Sequence, residues 1–278
     1  MDLRQVVFLG GNGRRLASVQ IRCLDIAGQL GCDYRVGDKF ARQIPDKYSA
    51  FICVKPDFGL QELVELRRRG KVIWDIIDTL PPEQDVDLYL ASTRTSRHLF
   101  NAYGRIVLIP HHHCNDSMAP NPSDLRRPAW IGARHWLPPL QGFEYDTYFA
   151  DRWRRLQVMH AHRKIGIGLN FRSSRPANYP VGQQKLGHEF HVAINSGIKL
   201  INCLGYGTPS ISANEPAYHE IGLDCTILSS VKKCAGWVRA LQHDDALYLD
   251  LRKKCLRKAP RFHVSAIAKK YRKLLESL

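Results

Sequence analysis

The sequence predicts two α/β domains, each built on a parallel β-sheet, within a chain of 278 residues. Short apolar segments alternate with segments in which apolar residues recur at helical spacing, and this alternation is typical of parallel sheets covered by helices. A break rich in Pro, Asn, Asp and Ser lies at residues 110–128. We therefore predict a first domain over residues 1–125 and a second over residues 126–278.

The first predicted domain begins with an apolar strand at residues 6–9, which runs into a glycine turn and then a helix over 17–30. Further strands and helices alternate after it, with strands at 50–54, 72–74, 88–90 and 106–109 and helices at 60–69 and 95–103. This order favours a parallel sheet with helices on both faces.

The second predicted domain begins at the apolar residues 129–132. A helix over 146–160, a strand at 165–169 and a polar loop at 170–187 are expected next. The rest of the pattern predicts strands at 209–212 and 225–228 and helices at 190–204, after Pro216, at 231–242, at 244–258 and at 264–278. The last helix is basic, with apolar residues expected to face inward.

The net charge of +15 predicts a negatively charged partner: a nucleotide diphosphate, an anionic membrane surface or nucleic acid. The sequence has neither a run of about 18 apolar residues nor the N-terminal layout of a secretion signal. Its eight cysteines form no CxxC pair and are expected to be reduced and packed. We therefore expect a cytoplasmic protein, with peripheral attraction to a membrane as an alternative.

Glycines follow the first predicted strand. Gly11, Asn12 and Gly13 are donor-binding candidates, because glycine lets backbone amides approach a phosphate or sugar at the start of a helix. Leu16 stands where the third glycine of a dinucleotide-binding motif would be, so NAD binding is disfavoured. A tight turn that only requires glycine is the structural alternative.

The segment from residue 197 to 220 carries further donor-binding candidates. Lys199 opens an apolar helix, and a lysine at a helix N-terminus can hold a diphosphate. A Gly-Thr-Pro turn and a short strand follow, and then the polar candidates Asn214, Glu215, Tyr218 and Glu220. A carboxylate there can accept hydrogen bonds from ribose or sugar hydroxyls. The structural alternatives are a solvated lysine and an acid that stabilises a helix N-terminus.

Catalytic candidates follow two strands of the first domain. Asp75 and Asp78 lie at the end of one strand and are candidates for a general base, although Asp78 also fits a turn cap. His111 and His112 follow another strand, and an imidazole has a pKa suited to proton transfer near neutral pH. Three consecutive histidines and Cys114 suggest a metal site less strongly, because neighbouring residues in an extended chain point in alternate directions.

Several segments resemble GT-B glycosyltransferases, in the same order along the chain. The most specific is IKLINCLGYGTPSISANEPAYHE, and KVIWDIIDTL, DLYLASTRTSRHLFNAYGRIVLIPHHH and HRKIGIGLNF are similar to other segments of that family. The resemblance departs at a pair of glutamates, since Ile194 and Asn202 hold those positions. It implies two Rossmann-like domains facing each other across a cleft, with a C-terminal helix crossing back to the first domain.

The resemblance also implies a function: transfer of a sugar from a nucleoside-diphosphate sugar to a saccharide, glycolipid or other acceptor, without a metal or another cofactor. Lys199 would hold the diphosphate, and the loop from Asn214 to Tyr218 would lie beside the donor. Two alternatives stay open. One is a nucleic-acid-binding or DNA-glycosylating protein, suggested by the charge and by residues 152–155; the other is a nucleotide-sugar-binding module without activity. The donor, the acceptor, the stereochemistry and the base stay open.

Overall fold

The computed structural model describes residues 1–11, 19–37, 43–56, 59–77, 81–149, 155–173, 190 and 192–278. These residues form two compact units. Unit 1 contains residues 1–111 together with the C-terminal residues 264–278, and unit 2 contains residues 112–263. Each unit has one parallel sheet with helices around it, so the predicted pair of α/β domains is confirmed.

Unit 1 is built on six parallel strands in the order β2-β1-β3-β4-β5-β6. The central strands β1 and β3 are fully buried apolar runs, as expected when helices cover both faces of a parallel sheet. The edge strand β2 is mostly exposed and polar, and the sequence pattern does not predict it. In chain order the strands are β1 Val6–Gly10, β2 Asp33–Val36, β3 Ala50–Val54, β4 Lys71–Ile76, β5 Leu88–Ala91 and β6 Ile106–Leu108.

The helices of unit 1 are α1 Asp25–Leu30, α2 Leu60–Arg69, α3 Arg94–Leu99 and, from the C-terminus, α9 Val264–Glu276. A π-helical turn, Gln20–Leu24, leads into α1. Helix α9 packs an apolar stripe into the core of unit 1, where the rings of Tyr271 and Phe8 lie 5.9 Å apart between centroids. The predicted return of the C-terminal helix to the first domain is therefore confirmed.

Unit 2 contains five parallel strands in the order β11-β10-β9-β7-β8. They are β7 Pro128–Gly132, β8 Asp146–Phe149, β9 Ile167–Asn170, β10 Ser210–Ser212 and β11 Ile227–Leu228. Its helices are α4 Arg155–His162, α5 Ile198–Tyr206, α6 Pro216–Gly222, α7 Cys234–His243 and α8 Asp245–Lys258. Trp130 at the centre of β7 is fully buried, and its indole donates a 3.0 Å hydrogen bond to the backbone oxygen of Phe171.

One sequence-based expectation differs from the structure. The helix expected over 146–160 is wrong in its first part, because Asp146–Phe149 forms strand β8 and pairs in parallel with β7. The two compact units divide between His111 and His112. Residues after His111 belong to unit 2, because Cys114 donates its amide to Asn202 and the Asn121 side chain donates to the backbone of Ile165.

The eight cysteines are all buried and form no disulfide. Within the ranges that the structure describes, no helix has both the length and the apolar composition needed to cross a membrane. The charged outer face of α9 contrasts with its buried stripe, since Lys269, Arg272 and Lys273 are exposed.

Candidate functional site

The strand order of unit 2 reverses between β7 and β9. The chain runs from β7 outward to β8, then returns past β7 to β9 and continues to β10 and β11. In open α/β sheets ligands bind at the carboxyl ends of the strands beside such a reversal. In unit 2 this place lies between Gly132, the last residue of β7, and Phe171, which follows β9.

Lys199 lies at this reversal. Its Nζ is 3.3 Å from the backbone oxygen of Phe171 and 4.4 Å from the centroid of the Trp130 ring. The residue lies in the first turn of α5, where the partial positive charge of the helix N-terminus adds to that of the ammonium group. Lys199, the residue predicted to contact a diphosphate, therefore lies where the strand order alone predicts a ligand site.

Two glycines shape this position. A methyl group added at Gly132 would lie 2.6 Å from the Trp130 ring and 3.1 Å from Lys199 Nζ, so a side chain there would displace the ring and crowd the lysine that lies over it. Gly197 precedes α5 with φ of +67°, a left-handed conformation that favours glycine, and a methyl group there would meet the side chain of Ile221 at 2.2 Å. Gly132 thus leaves room for the Trp130 ring and the Lys199 ammonium group, and Gly197 leaves room for Ile221.

The ammonium group of Lys199 is held close to its titration point. Burial lowers its pKa from 10.5 to about 7, and the guanidinium of Arg172 acts in the same direction. The carboxylate of Glu215 opposes this shift. Lys199 and Arg172 are thus two neighbouring cations whose mutual repulsion an anionic ligand would relieve.

Arg172 and Glu215 are joined through one amide side chain. Asn195 accepts a hydrogen bond from Arg172 through its oxygen and donates one to the Glu215 carboxylate through its nitrogen. The same oxygen accepts the amide of Gly197 at 3.1 Å, just before α5. Glu215 is buried, with 4% of its surface exposed. This network fixes the orientation of a carboxylate beside the two cations.

A cavity of about 340 Å³ lies beside this network. It is lined by Arg172, Val192, Ala193, Ala213, Asn214, Glu215 and Pro216. Its volume is within the range of small-molecule sites. A cation, a buried carboxylate and an exposed amide therefore face one space.

The other donor-binding candidates differ in their placement. Tyr218 is fully buried, and burial followed by the nearby Glu215 carboxylate raises the pKa of its hydroxyl. The Asn214 oxygen pairs with the His219 ring, and Glu220 is exposed on α6. Thus Glu215 lies close to Lys199, Tyr218 lies close to Glu215, Asn214 lines the cavity, and Glu220 lies farther along α6.

The glycine turn of unit 1 is only partly described. The amide of Gly11 donates a 3.2 Å hydrogen bond to the backbone oxygen of Val54, at the carboxyl end of the neighbouring strand β3. This amide is therefore engaged by the sheet. Asn12 and Gly13 lie outside the described residues.

Asp75 lies in a fully buried ion pair with Arg22. The two guanidinium–carboxylate hydrogen bonds measure 2.7 and 2.9 Å, and the hydroxyl of Tyr271 donates to the same carboxylate at 3.2 Å. Both side chains of the ion pair have no exposed surface. This arrangement favours a structural ion pair over a base that meets a substrate. Asp78 lies outside the described residues.

The histidines after β6 are buried. Nδ1 of His112 donates to the backbone oxygen of His113 at 2.8 Å. Burial, followed by His112 and His263, lowers the pKa of His113 to about 4, so His113 is neutral at pH 7. No three histidine, cysteine or carboxylate side chains gather as a metal-ligand set among the residues described.

Sequence reasoning did not identify Arg172, Asn195 or the contact of Lys199 with the Trp130 ring. The available signal for Arg172 was its place two residues after the end of a buried strand, where ligand-facing residues occur. Asn195 gave no comparable signal, because its two partners lie 23 and 20 residues away along the chain.

Comparison of the whole structure with solved structures relates its fold to known proteins. HepE of Anabaena, crystallised with UDP and glucose, is 13% identical with a TM-score of 0.62, over 99% of this chain and all of HepE. Sucrose-phosphate synthase of Thermosynechococcus elongatus is 11% identical with a TM-score of 0.58, over 99% of this chain and all of that one. UDP-GlcNAc 2-epimerase of Neisseria meningitidis, bound to UDP-GlcNAc, is 8% identical with a TM-score of 0.54, over 98% of this chain and all of the epimerase.

No protein-family model and no curated protein matches the sequence itself. The structural matches extend over nearly the whole chain, and at these identities they show its fold. The chain has the GT-B fold, with two parallel α/β units and a C-terminal helix that packs on the first.

Proposed function

We propose that this protein is a glycosyltransferase that moves a sugar from a nucleoside-diphosphate sugar to an acceptor. The observation that carries the proposal is the position of Lys199 beside Arg172 at the strand reversal of unit 2, next to a cavity that Glu215 lines. The fold supports it, because proteins crystallised with UDP and glucose and with UDP-GlcNAc have the same architecture.

In this proposal the cations stabilise the leaving group. When the bond between the sugar and the diphosphate breaks, negative charge develops on the departing phosphate oxygens. Lys199, Arg172 and the N-terminus of α5 place positive charge there before the reaction starts, so little reorganisation is needed. The relief of repulsion between the two cations favours the bound diphosphate further.

Glu215 has a separate proposed role, which is to recognise hydroxyl groups. An ionised carboxylate only accepts hydrogen bonds, and the hydroxyls of a ribose or a sugar donate them. Asn195 already occupies one carboxylate oxygen, Oε2, and so sets the direction of the other. We therefore place the sugar or the ribose of the donor in the cavity that Glu215 lines.

The identity of the general base is a separate proposal. Asp78, His111 and His112 are the candidates that we retain, since the enclosed ion pair of Asp75 with Arg22 suits a structural role. A saccharide or glycolipid remains the proposed acceptor.

Isothermal titration with UDP-, GDP-, ADP- and CMP-linked sugars tests the donor site. We expect heat with at least one of them, and Lys199→Ala should weaken that binding by about 10- to 100-fold, the loss expected for one charge-assisted hydrogen bond. Lys253→Ala removes the same charge from an exposed position on α8 and should leave the affinity unchanged. The absence of heat with every donor, or equal losses in both variants, contradicts the proposal.

A second candidate, epimerisation of a nucleotide sugar, is favoured by the structural match to UDP-GlcNAc 2-epimerase. Both reactions use a bound nucleoside diphosphate, so donor affinity does not separate them. Incubation with the donor alone does so, because an epimerase converts it to an isomeric sugar without an acceptor, whereas a transferase requires an acceptor or water. Detection of the isomer by NMR would replace the transferase proposal.

A further inference from the structure

A second cavity in unit 2 lies at the amino ends of the strands of its sheet, opposite the carboxyl ends where Lys199 lies. It measures about 1040 Å³ and is bordered by the residues that lead into β7 and β8 and by the end of α7. Its lining includes Pro128 and Asp146, the first residues of those strands. Along strand β7, Pro128 at this cavity and Gly132 at the Lys199 site are four residues apart, a distance of about 13 Å. The cavity is therefore distinct from the site around Lys199.

Aromatic rings form one part of the wall. Phe143 and Tyr145 both line the cavity, with ring centroids 5.4 Å apart and planes inclined by 42°. Both rings pack against the core of unit 2 on their inner side. They present flat apolar surface beside polar groups, the combination that binding sites for polar organic molecules use.

The two arginines of the wall are already paired. Arg127 donates to Asp146 at 2.6 Å, and Arg126 pairs with Asp245 at 3.0 Å while its guanidinium lies 3.4 Å from the centroid of the Tyr248 ring. Paired guanidinium groups keep hydrogen-bond donors in fixed directions, but their positive charge is largely offset. They are poorly suited to capture a second diphosphate.

Two carboxylates of the wall have no such pairing. Asp124 and Glu144 line the cavity, are exposed, and form no ion pair with any residue that the structure describes. The lining thus contains one more carboxylate than guanidinium groups, which disfavours an anionic ligand. The net charge of +15 over the whole chain disfavours a cationic ligand. The charges together favour an uncharged ligand, and the polar side chains of the wall favour one with many hydrogen-bonding groups.

We propose that this cavity is a binding site for a neutral oligosaccharide. Sugar hydroxyls donate to Asp124 and Glu144 and accept from the fixed guanidinium groups and from Gln242, while the apolar faces of the sugar rings lie on Phe143 and Tyr145. The cavity lies about 13 Å or more from the proposed donor site, so the part of a saccharide that it holds does not react. The inference does not require transferase activity.

Titration calorimetry with maltotriose, cellotriose and laminaritriose tests the site. We expect binding of at least one trisaccharide, weakened about five- to tenfold by Glu144→Gln and by Asp124→Asn, because an amide replaces an ionised acceptor. Both residues are exposed, so the fold should tolerate these changes. Glu276→Gln, an exposed change on α9 of the other unit, serves as the matched control and should have no effect.

Lys199→Ala and saturating UDP separate this site from the donor site. We expect neither to change trisaccharide binding. Absence of binding by all three trisaccharides overturns the inference, and so does binding that UDP or Lys199→Ala abolishes, since the saccharide then occupies the donor site. Binding of spermidine in place of the saccharides, lost in Glu144→Gln, would identify a cation site and overturn it as well. None of these outcomes depends on whether a donor sugar is transferred.

Discussion

Binding of a nucleotide sugar should depend on pH through Lys199. In the free protein burial holds the pKa of this ammonium group at about 7, so it is only half protonated at neutral pH. A bound diphosphate places negative charge beside it and favours the charged form, which raises the pKa again. Binding therefore takes up a proton above pH 7, and affinity must fall as the pH rises.

The size of the effect follows from the free-state pKa. Between pH 6 and pH 8.5 the protonated fraction of a group with a pKa of 7 falls about thirtyfold. If the bound lysine stays protonated throughout, the Kd for UDP-glucose rises by about the same factor, which corresponds to about 2 kcal/mol. UDP-glucose suits the test better than UDP, because its phosphates are diesters without a proton to lose in this range.

Isothermal titration with UDP-glucose at pH 6, 7, 8 and 8.5 measures the dependence. Lys199→Arg is the decisive control, because a guanidinium stays charged over the whole range and should give an affinity almost independent of pH. Lys253→Arg makes the same exchange at an exposed site and should retain the dependence of the wild type. A flat wild-type profile, or a slope that persists in Lys199→Arg, would refute the assignment of Lys199 to the diphosphate.

Two further predictions concern the surroundings of the site and the core of unit 1. Gly132→Ala should weaken UDP-glucose binding by about tenfold, because the new methyl group takes space used by Lys199. In the control Gly236→Ala the methyl group meets no neighbouring atom, so UDP-glucose should bind as in the wild type. Equal affinities of the two variants in titration calorimetry would argue against a tight approach at Gly132. Asp75→Asn should cost about 3–5 kcal/mol in urea unfolding, since it leaves the Arg22 charge buried without its anion, and the double variant Arg22→Met/Asp75→Leu should recover most of that loss. A variant Asp75→Asn with unchanged stability but no sugar transfer would instead indicate that Asp75 is the base.

The sequence predicts most of the sheet architecture because buried parallel strands have a strong local signal. Residues 50–54 form an uninterrupted apolar run and become the fully buried strand β3. Edge strands lack this signal. β2 is mostly exposed, and β8 is half-buried on all four residues, so each resembles a loop or helix in pattern alone. Their pairing with β1 and β7 is decided by neighbours that are distant along the chain.

The sequence predicts the residues of the candidate site only in part, for the same reason. Lys199 and Glu215 can be proposed from one segment, because they belong to a helix, turn and strand that are contiguous in sequence. Arg172 and Asn195 come from outside that segment and meet Glu215 only when β9 and β10 pair. Asp75 shows the opposite case, since its place after an apolar run suggests a base, while Arg22, 53 residues earlier, encloses it in an ion pair.

The charges around Lys199 bear on both the stability of the fold and the proposed function. A fold under selection for stability alone would offset the charge of both cations, yet the carboxylate of Glu215, which accepts a hydrogen bond from Asn195, only partly opposes the lowering of the Lys199 pKa. The result is a lysine whose positive charge is opposed by burial and by Arg172 in the absence of a ligand. Strong perturbations of this kind are concentrated at functional sites. A diphosphate supplies the missing negative charge, so part of its binding energy comes from relieving an unfavourable state of the free protein. On this argument, Lys199→Met should weaken UDP-glucose binding and at the same time raise the free energy of unfolding at pH 7; a variant that loses both affinity and stability would show that the lysine is a structural residue instead.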